Sequence, residues 1–203
     1  HDRARRVMTI LKERPLVLAS ASPRRREILE SLGVPHVVVT APVDEDERPG
    51  ERVHEYLRRV TSDKLASACK RALGDVAAVL VADTTVVVDE TMLAKPSSIE
   101  DAARMIRALS GRDHDVQTAF AIGAPDGSLL HQEIVSTRVT FRAMTDHEIE
   151  EYAASGEGLD KAGAYAVQGR GAAFIPRIVG SYSCVVGLPA CEVVVALSRL
   201  GLF

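Results

Sequence analysis

Leu16-Val17-Leu18-Ala19-Ser20-Ala21-Ser22-Pro23-Arg24-Arg25 decides the class of fold. Its first half is a short apolar run suited to a buried strand. The second half changes character, because Ser22 offers an N-cap and Pro23 suits the first position of a helix. The segment therefore predicts a strand, a turn and a helix from about Pro23 to Leu32, ended by Gly33. Free backbone N–H groups and the positive end of the helix dipole make such a junction a place to hold an anion. Ser20 and Ser22 add hydroxyl donors, while Arg24 and Arg25 add planar forks that match phosphate oxygens. Arginines at 24, 25 and 26 oppose the dipole of their own helix, and a local rule broken this way is expected where a site requires it. The competing reading is a solvated basic face behind a routine cap. No G-x-x-x-x-G-K-[ST] occurs in the chain and no G-x-G-x-x-G follows this strand, which excludes two common phosphate-binding loops.

Outward from that junction, His36 to Val39 reads as a second strand and Thr40 to Gly50, with its prolines and acids, as a loop. A long helix is predicted from about Arg52 to Ala72, on the spacing of Val53, Leu57, Val60, Leu65 and Ala68. Val76 to Ala82 and Thr85 to Val88 are apolar and β-branched, as central strands covered on both faces are. Ser97-Ser98-Ile99-Glu100-Asp101 opens a capped helix that Gly111 closes. Strands over about Asp115 to Ile122 and Leu130 to Phe141 flank the turn Pro125-Asp126-Gly127, and Thr145-x-x-Glu148 opens another capped helix. A closing helix is predicted from Leu188 to Leu200. Strands and helices alternate early and a hairpin follows, so the expected class is α/β, with a mixed central sheet, flanking helices and a groove between two lobes. Residues 1 to about 14 read as an irregular leader or cloning remnant, and 15 to 203 as a single domain.

A length of 203 residues, 46% hydrophobic and 26% charged, is ordinary for a globular protein that needs no disulfides. The net charge of -3 argues against a nucleic-acid coat or a polybasic membrane anchor. Cys69, Cys184 and Cys191 contain no C-x-x-C pair and read as reduced, buried thiols of a cytoplasmic protein. No apolar run reaches the length of a membrane span.

Chemistry concentrates elsewhere. Asp83 follows the apolar run Ala77 to Ala82, and a carboxylate ending a buried strand must be hydrogen-bonded, paired or used. Its alternative is a loop-capping aspartate. Asp44-Glu45-Asp46-Glu47 reads as a solvated loop, from which one or two acids can serve a hard cation such as Mg²⁺ or Mn²⁺. Lys64 in the long helix and Lys95 before Pro96 are cations of the kind that meet phosphates, although isolated lysines are more often surface. Gln168-Gly169 can hydrogen-bond a base edge or simply form a turn. The histidines at 36, 54, 114, 131 and 147 have no metal spacing, and neither G-x-S-x-G nor H-E-x-x-H is present.

Taken in order, Leu18 to Arg25, Ala82-Asp83-Thr84, Ala94-Lys95-Pro96, Leu109-Ser110-Gly111, Leu159 to Tyr165, Gln168-Gly169 and Gly180-Ser181-Tyr182 through Val186-Gly187-Leu188-Pro189 resemble the Maf family. The resemblance runs from about Leu16 to the C-terminus. It implies a house-cleaning pyrophosphatase of nucleoside triphosphates, similar in fold to inosine triphosphate pyrophosphatases. By the same resemblance Asp83 is the proton acceptor, and Arg24, Thr84 and Gln168 choose the base. Ser20, Arg25, Lys64 and Lys95 meet phosphates, and Glu45, with Asp44 beside it, helps hold Mg²⁺ or Mn²⁺. Ala82-Asp83-Thr84-Thr85 and Val167-Gln168-Gly169 look like the branch acting on dTTP and UTP rather than the one acting on 7-methyl-GTP. A cytoplasmic homodimer without nucleic-acid or membrane partners is implied as well. Two rivals remain at this point: an inosine/xanthosine triphosphate pyrophosphatase, and a nucleotide-binding regulator of cell division.

Overall fold

The computed structural model describes residues 9–71 and 74–203. In chain order the regular elements are β1 (Leu16–Ala19), α1 (Pro23–Ser31), β2 (His36–Val39), α2 (Val53–Cys69), β3 (Ala78–Val88), β4 (Thr91–Leu93) and α3 (Ile99–Leu109). They continue with β5 (Asp113–Gly123), β6 (Leu129–Thr140), α4 (Asp146–Ala154), β7 (Arg177–Val179), α5 (Tyr182–Val186) and α6 (Ala190–Arg199). Two short 3₁₀ helices, Ala162–Ala164 and Gly169–Phe174, precede β7. The strands form one mixed sheet in the order β2-β1-β3-β5-β6-β7, with β4 paired to β3. β1 runs parallel to both β2 and β3, while the β3–β4 and β6–β7 pairs are antiparallel. This is the expected α/β class with a mixed sheet and flanking helices.

The chain divides into two compact units. One takes in the described residues up to Asp83, with Thr118–Ile134 and Gly187–Phe203; the other takes in Thr84–Gln117 and Val135–Val186. In the first unit, Val17 and Ala19 of β1, Val79 and Val81 of β3 and Ala121 of β5 pack with Leu65 and Ala68 of α2. Gly123 allows that approach, because a Cβ there would stand 2.5 Å from Leu65 Cδ1. In the second unit, Val86, Ile106, Leu109, Phe141, Ile149 and Tyr152 anchor a separate apolar cluster.

Several expectations are corrected in detail. β3 is one unbroken strand across Asp83 and Thr84, where an interruption after Ala82 was expected; extended backbone continues because Thr84 and Thr85 are β-branched. The β3–β4 hairpin turns on Asp89 and Glu90, whose φ values of +48° and +62° are unusual outside glycine, so no ordinary turn signal marks it. Ser22 occupies the N-cap position of α1, yet its side chain makes no cap hydrogen bond. At α3, Ser98 Oγ accepts from Asp101 N at 3.1 Å, while the Asp101 carboxylate reaches Ser97 N rather than closing a reciprocal box. Thr145 and Glu148 do form the reciprocal box at α4. α2 ends at Cys69 with Lys70 as its C-cap, short of the expected Ala72, which itself lies outside the described residues, as do positions 1–8. From Thr9 to Arg14 the chain has no regular element, but Ile10 is only 5% exposed and its N–H donates to Leu202 O at 2.8 Å. The leader therefore joins the first unit from there onward.

One buried polar group sits inside the second unit's core. His114 is 3% exposed, lies edge-on to Phe141 and Tyr165, and shares a 2.7 Å hydrogen bond between Nε2 and the Tyr165 hydroxyl. Its Nδ1 has no partner, so a second ring proton would be buried without an acceptor. Burial lowers its pKa to about 4, against the weaker opposing pull of Asp115 and Asp113. As pH falls, the unfolded chain takes up this proton first, near 6.5, and the folded ring only near 4. The stabilisation is thus complete above that upper value and is lost toward the lower one. Chemical denaturation of the wild type and of His114→Gln across this window should show a difference of up to about 3 kcal/mol that grows on acidification. Parallel pH profiles for the two proteins would remove His114 from that role.

Candidate active site

Lys64 is placed by α2 with its side chain only 10% exposed, and its ammonium is shared by two carboxylates. Nζ stands 2.8 Å from Asp83 Oδ1 and 2.7 Å from Glu45 Oε1, with the Ala82 carbonyl at 3.4 Å. An ammonium buried this far needs an acceptor for each of its three N–H groups, and here each has one. Asp83 is delivered at that point by the apolar lead-in of β3, and its side chain is 9% exposed. Its second oxygen, Oδ2, is buried without a hydrogen-bond partner. Asp83 is therefore fixed through Oδ1, its Oδ2 lies enclosed, and the Tyr56 side chain is a further neighbour of the carboxylate. It is an ion-paired strand carboxylate and not a loop cap.

The β1–α1 junction supplies the cationic side of the same unit. Ser20 Oγ accepts from Ser22 N and from Arg25 Nη1, both at 3.2 Å, which shapes the turn between strand and helix. Arg25 Nε donates to Gly187 O at 2.7 Å. Gly187 has φ +133°, a conformation that favours glycine. Burial lowers the pKa of the Arg25 guanidinium, while the charges of Asp83 and Glu45 pull it up and Arg24 pushes it down again. Both carboxylates are thus electrostatic neighbours of this arginine. No acid lies in the first turn of α1 and no side chain caps it, which leaves its dipole end open toward an anion.

The acidic loop is tied down by α2. Arg59 grips Glu51 with two nitrogens, Nε to Oε1 at 2.6 Å and Nη2 to Oε2 at 2.8 Å. The same guanidinium donates to Asp46 O at 2.9 Å and to Asp44 O at 3.5 Å. Tyr56 Oη donates to the carbonyl between them, Glu45 O, at 3.1 Å. Three consecutive carbonyls are thereby fixed, and the Glu45 side chain, although 41% exposed, reaches Lys64. The hydrogen bond from Arg59 holds the Glu51 carboxyl down at about 2. Burial raises the Tyr56 pKa well above the ordinary phenol, and the charges of Asp83 and Glu45 add to it.

Of the expected site residues, Ser20, Arg25, Lys64, Asp83 and Glu45 come together in the first unit, with Arg24 half-buried on α1 beside Arg25. Asp44 does not join them: it is exposed, and its Oδ1 accepts from Asp46 N at 2.9 Å within its own loop. Thr84, half-buried, and the exposed Lys95 and Gln168 belong to the second unit. Tyr56, Arg59, Glu51 and Gly187 were not singled out as site residues from the sequence. Among the described residues no three His, Cys, Asp or Glu side chains converge as a metal-binding group. The Glu45 carboxylate nonetheless fits a hard divalent cation that completes its shell with water and phosphate oxygens. Chemically, the cluster can neutralise an anion with Arg25 and Lys64 and accept a proton at Asp83.

Arg59→Lys keeps the charge and loses the fork. Amide exchange over residues 44–48 is expected to accelerate by about tenfold, with protection in β3 unchanged. Unaltered exchange in that loop would mean that something other than Arg59 holds it.

The description "Maf-like protein" matches residues 15–200 of the chain. A dTTP/UTP pyrophosphatase of Hahella chejuensis (strain KCTC 2396) is 44% identical over 191 residues, covering 93% of this chain and 94% of that protein. The dTTP/UTP pyrophosphatase of Myxococcus xanthus (strain DK1622) is 47% identical over 187 residues, covering 92% and 93%. Among solved structures, a nucleoside-triphosphatase (dITP/XTP pyrophosphatase) of Mycobacterium abscessus aligns over 91% of this chain and 93% of its own, at 14% identity and a TM-score of 0.46. With a family match over nearly its whole length and relatives this similar, the chain belongs to the Maf-like protein family.

Proposed function

We propose that this protein hydrolyses dTTP and UTP to the nucleoside monophosphate and pyrophosphate, with Asp83 as general base. The observation that carries the chemistry is the Asp83 carboxylate, pinned through Oδ1 by Lys64 and free at the buried Oδ2. Oδ2 takes a proton from water as the water oxygen bonds to the α-phosphorus. The bond from that phosphorus to the bridging oxygen breaks, and pyrophosphate leaves with the bonding electrons. Ser20, Arg24, Arg25 and Lys64 meet the phosphates; Lys95 as a phosphate contact and Thr84 and Gln168, with Arg24, as base contacts follow from the resemblance. The pyrimidine preference is supported by relatives that carry it in their names.

A divalent cation, Mg²⁺ or Mn²⁺, is the cofactor of this reading, held by Glu45. When bound it supplies charge neutralisation for the phosphates and the leaving group. The protein works in the cytoplasm as a homodimer; its three cysteines are free thiols, although only Cys184 is buried as expected, Cys69 being half-buried and Cys191 exposed, and among the described residues no helix is long and apolar enough to cross a membrane.

Pyrophosphate release should be measured over dTTP, UTP, dCTP and ITP, with and without Mg²⁺ or Mn²⁺. Turnover is expected to be highest for dTTP and UTP and to depend on the cation. Asp83→Asn should lower kcat by roughly 10²-fold or more with nucleotide binding nearly intact. Wild-type turnover in that variant would eliminate Asp83 as base. A preference for ITP would move the substrate to purines, and binding without pyrophosphate release from any triphosphate would favour a regulator.

A further inference from the structure

Gln168 is exposed and stands one residue ahead of the 3₁₀ helix Gly169–Phe174. An exposed loop residue can discriminate between bases only if its backbone is fixed by something else. Here that something is a single carboxylate. Glu157 Oε1 accepts from Arg170 N at 2.9 Å, and Oε2 accepts from Gly171 N at 3.0 Å and from the Tyr152 hydroxyl at 2.8 Å. The Tyr152 hydroxyl in turn accepts from Ala166 N at 3.1 Å. Backbone amides on both sides of Gln168 thus converge on one Glu–Tyr pair.

The anchor itself is rigid. Tyr152 is buried on α4, edge-on to Phe174, and Lys161 Nζ donates to the Glu157 carbonyl at 2.7 Å. Burial works against the Glu157 charge, but the hydrogen bonds from Arg170 N, Tyr152 and Gly171 N outweigh it and hold the carboxyl below its ordinary value. The fit is also steric. Gly169 has φ +77°, and a Cβ on it would run into Glu157 Oε1. The segment closes on the carboxylate only because glycine precedes Arg170.

We infer that Glu157 is the positioning residue for base selection, holding the Gln168 segment in the one conformation from which its amide reads the base. The inference rests on the proposed role of Gln168. Glu157 touches no reacting atom, so its effect belongs in affinity and discrimination: when the competent conformer is less populated, apparent affinity falls by that fraction while turnover of bound substrate persists.

The test compares Glu157→Gln, Gly169→Ala and Gln168→Ala by steady-state kinetics on dTTP, dCTP and ITP, with thermal unfolding of each variant alongside. An amide in place of the carboxylate presents one acceptor oxygen instead of two. Gly169→Ala disturbs the same contact from the loop side and serves if Glu157→Gln fails to fold. Each of the two should raise the KM for dTTP about tenfold, keep kcat within about threefold, and erode preference for dTTP as Gln168→Ala does. Combining Glu157→Gln with Gln168→Ala should add little to the single variants. The inference is overturned if Gln168→Ala loses discrimination while the other two keep wild-type KM and preference, or if they lower kcat and the unfolding temperature with KM unchanged. A Gln168→Ala enzyme with undiminished preference removes the base-reading role of Gln168, and this inference with it.

Discussion

The first unit is organised around one buried ammonium group. Lys64 lies on α2 among Leu57, Val60, Leu65 and Ala68, on a helix face that is otherwise core. A cation there is costly unless its charge and its three N–H groups are met at short range. That requirement fixes three separate segments relative to α2: the end of the apolar stretch of β3 through Asp83, the acidic loop through Glu45, and the backbone of Ala82. Because the partners come from distant parts of the sequence, the pair is a tertiary constraint as well as a chemical one.

Much of the scaffold was legible because it is governed by period and punctuation. The β1–α1 junction, α2 and the capped helices α3 and α4 lie where apolar spacing, Ser or Thr caps and terminal glycines put them. Asp83 was legible for a related reason, since a carboxylate directly after a wholly apolar run has few inert explanations. The β3–β4 hairpin was not, because its turn residues are Asp89 and Glu90 rather than Asn-Gly, and β4 spans only Thr91–Leu93. β7 and α5 were equally hidden, as short elements between glycines carry too few residues to show a period.

The supporting shell of the site was the least legible part, and the reason is physical. Arg59, Glu51 and Tyr56 have unremarkable identities; what matters is which carbonyl or carboxylate each meets, and that is settled by tertiary placement. One signal was available. Tyr56, Arg59 and Ser67 share a face of α2, next to the core face that carries Lys64, and a polar stripe beside an apolar one must find partners in whatever covers it. Tyr56 meets Glu45 O, Arg59 meets Asp44 O, Asp46 O and Glu51, Lys64 meets the Glu45 carboxylate, and Ser67 Oγ donates to Pro42 O. The loop from Pro42 to Glu51 is therefore dictated by α2 more than by its own residues. Asp44 illustrates the limit of reading acids by type: its neighbour Glu45 reaches the cluster, while Asp44 turns its carboxylate onto Asp46 N.

Charge balance narrows what this site can bind. Lys64 and Arg25 are offset by Asp83 and Glu45, which leaves Arg24 as the excess within this cluster of five. Such a cluster is close to neutral by itself, as a partly buried site must be. A triphosphate brings far more negative charge than one arginine neutralises, and it brings it beside two carboxylates. A polyanion alone would be repelled by those carboxylates. On the proposed reading the anion arrives with a divalent cation, which would turn the Glu45 carboxylate from a source of repulsion into a ligand.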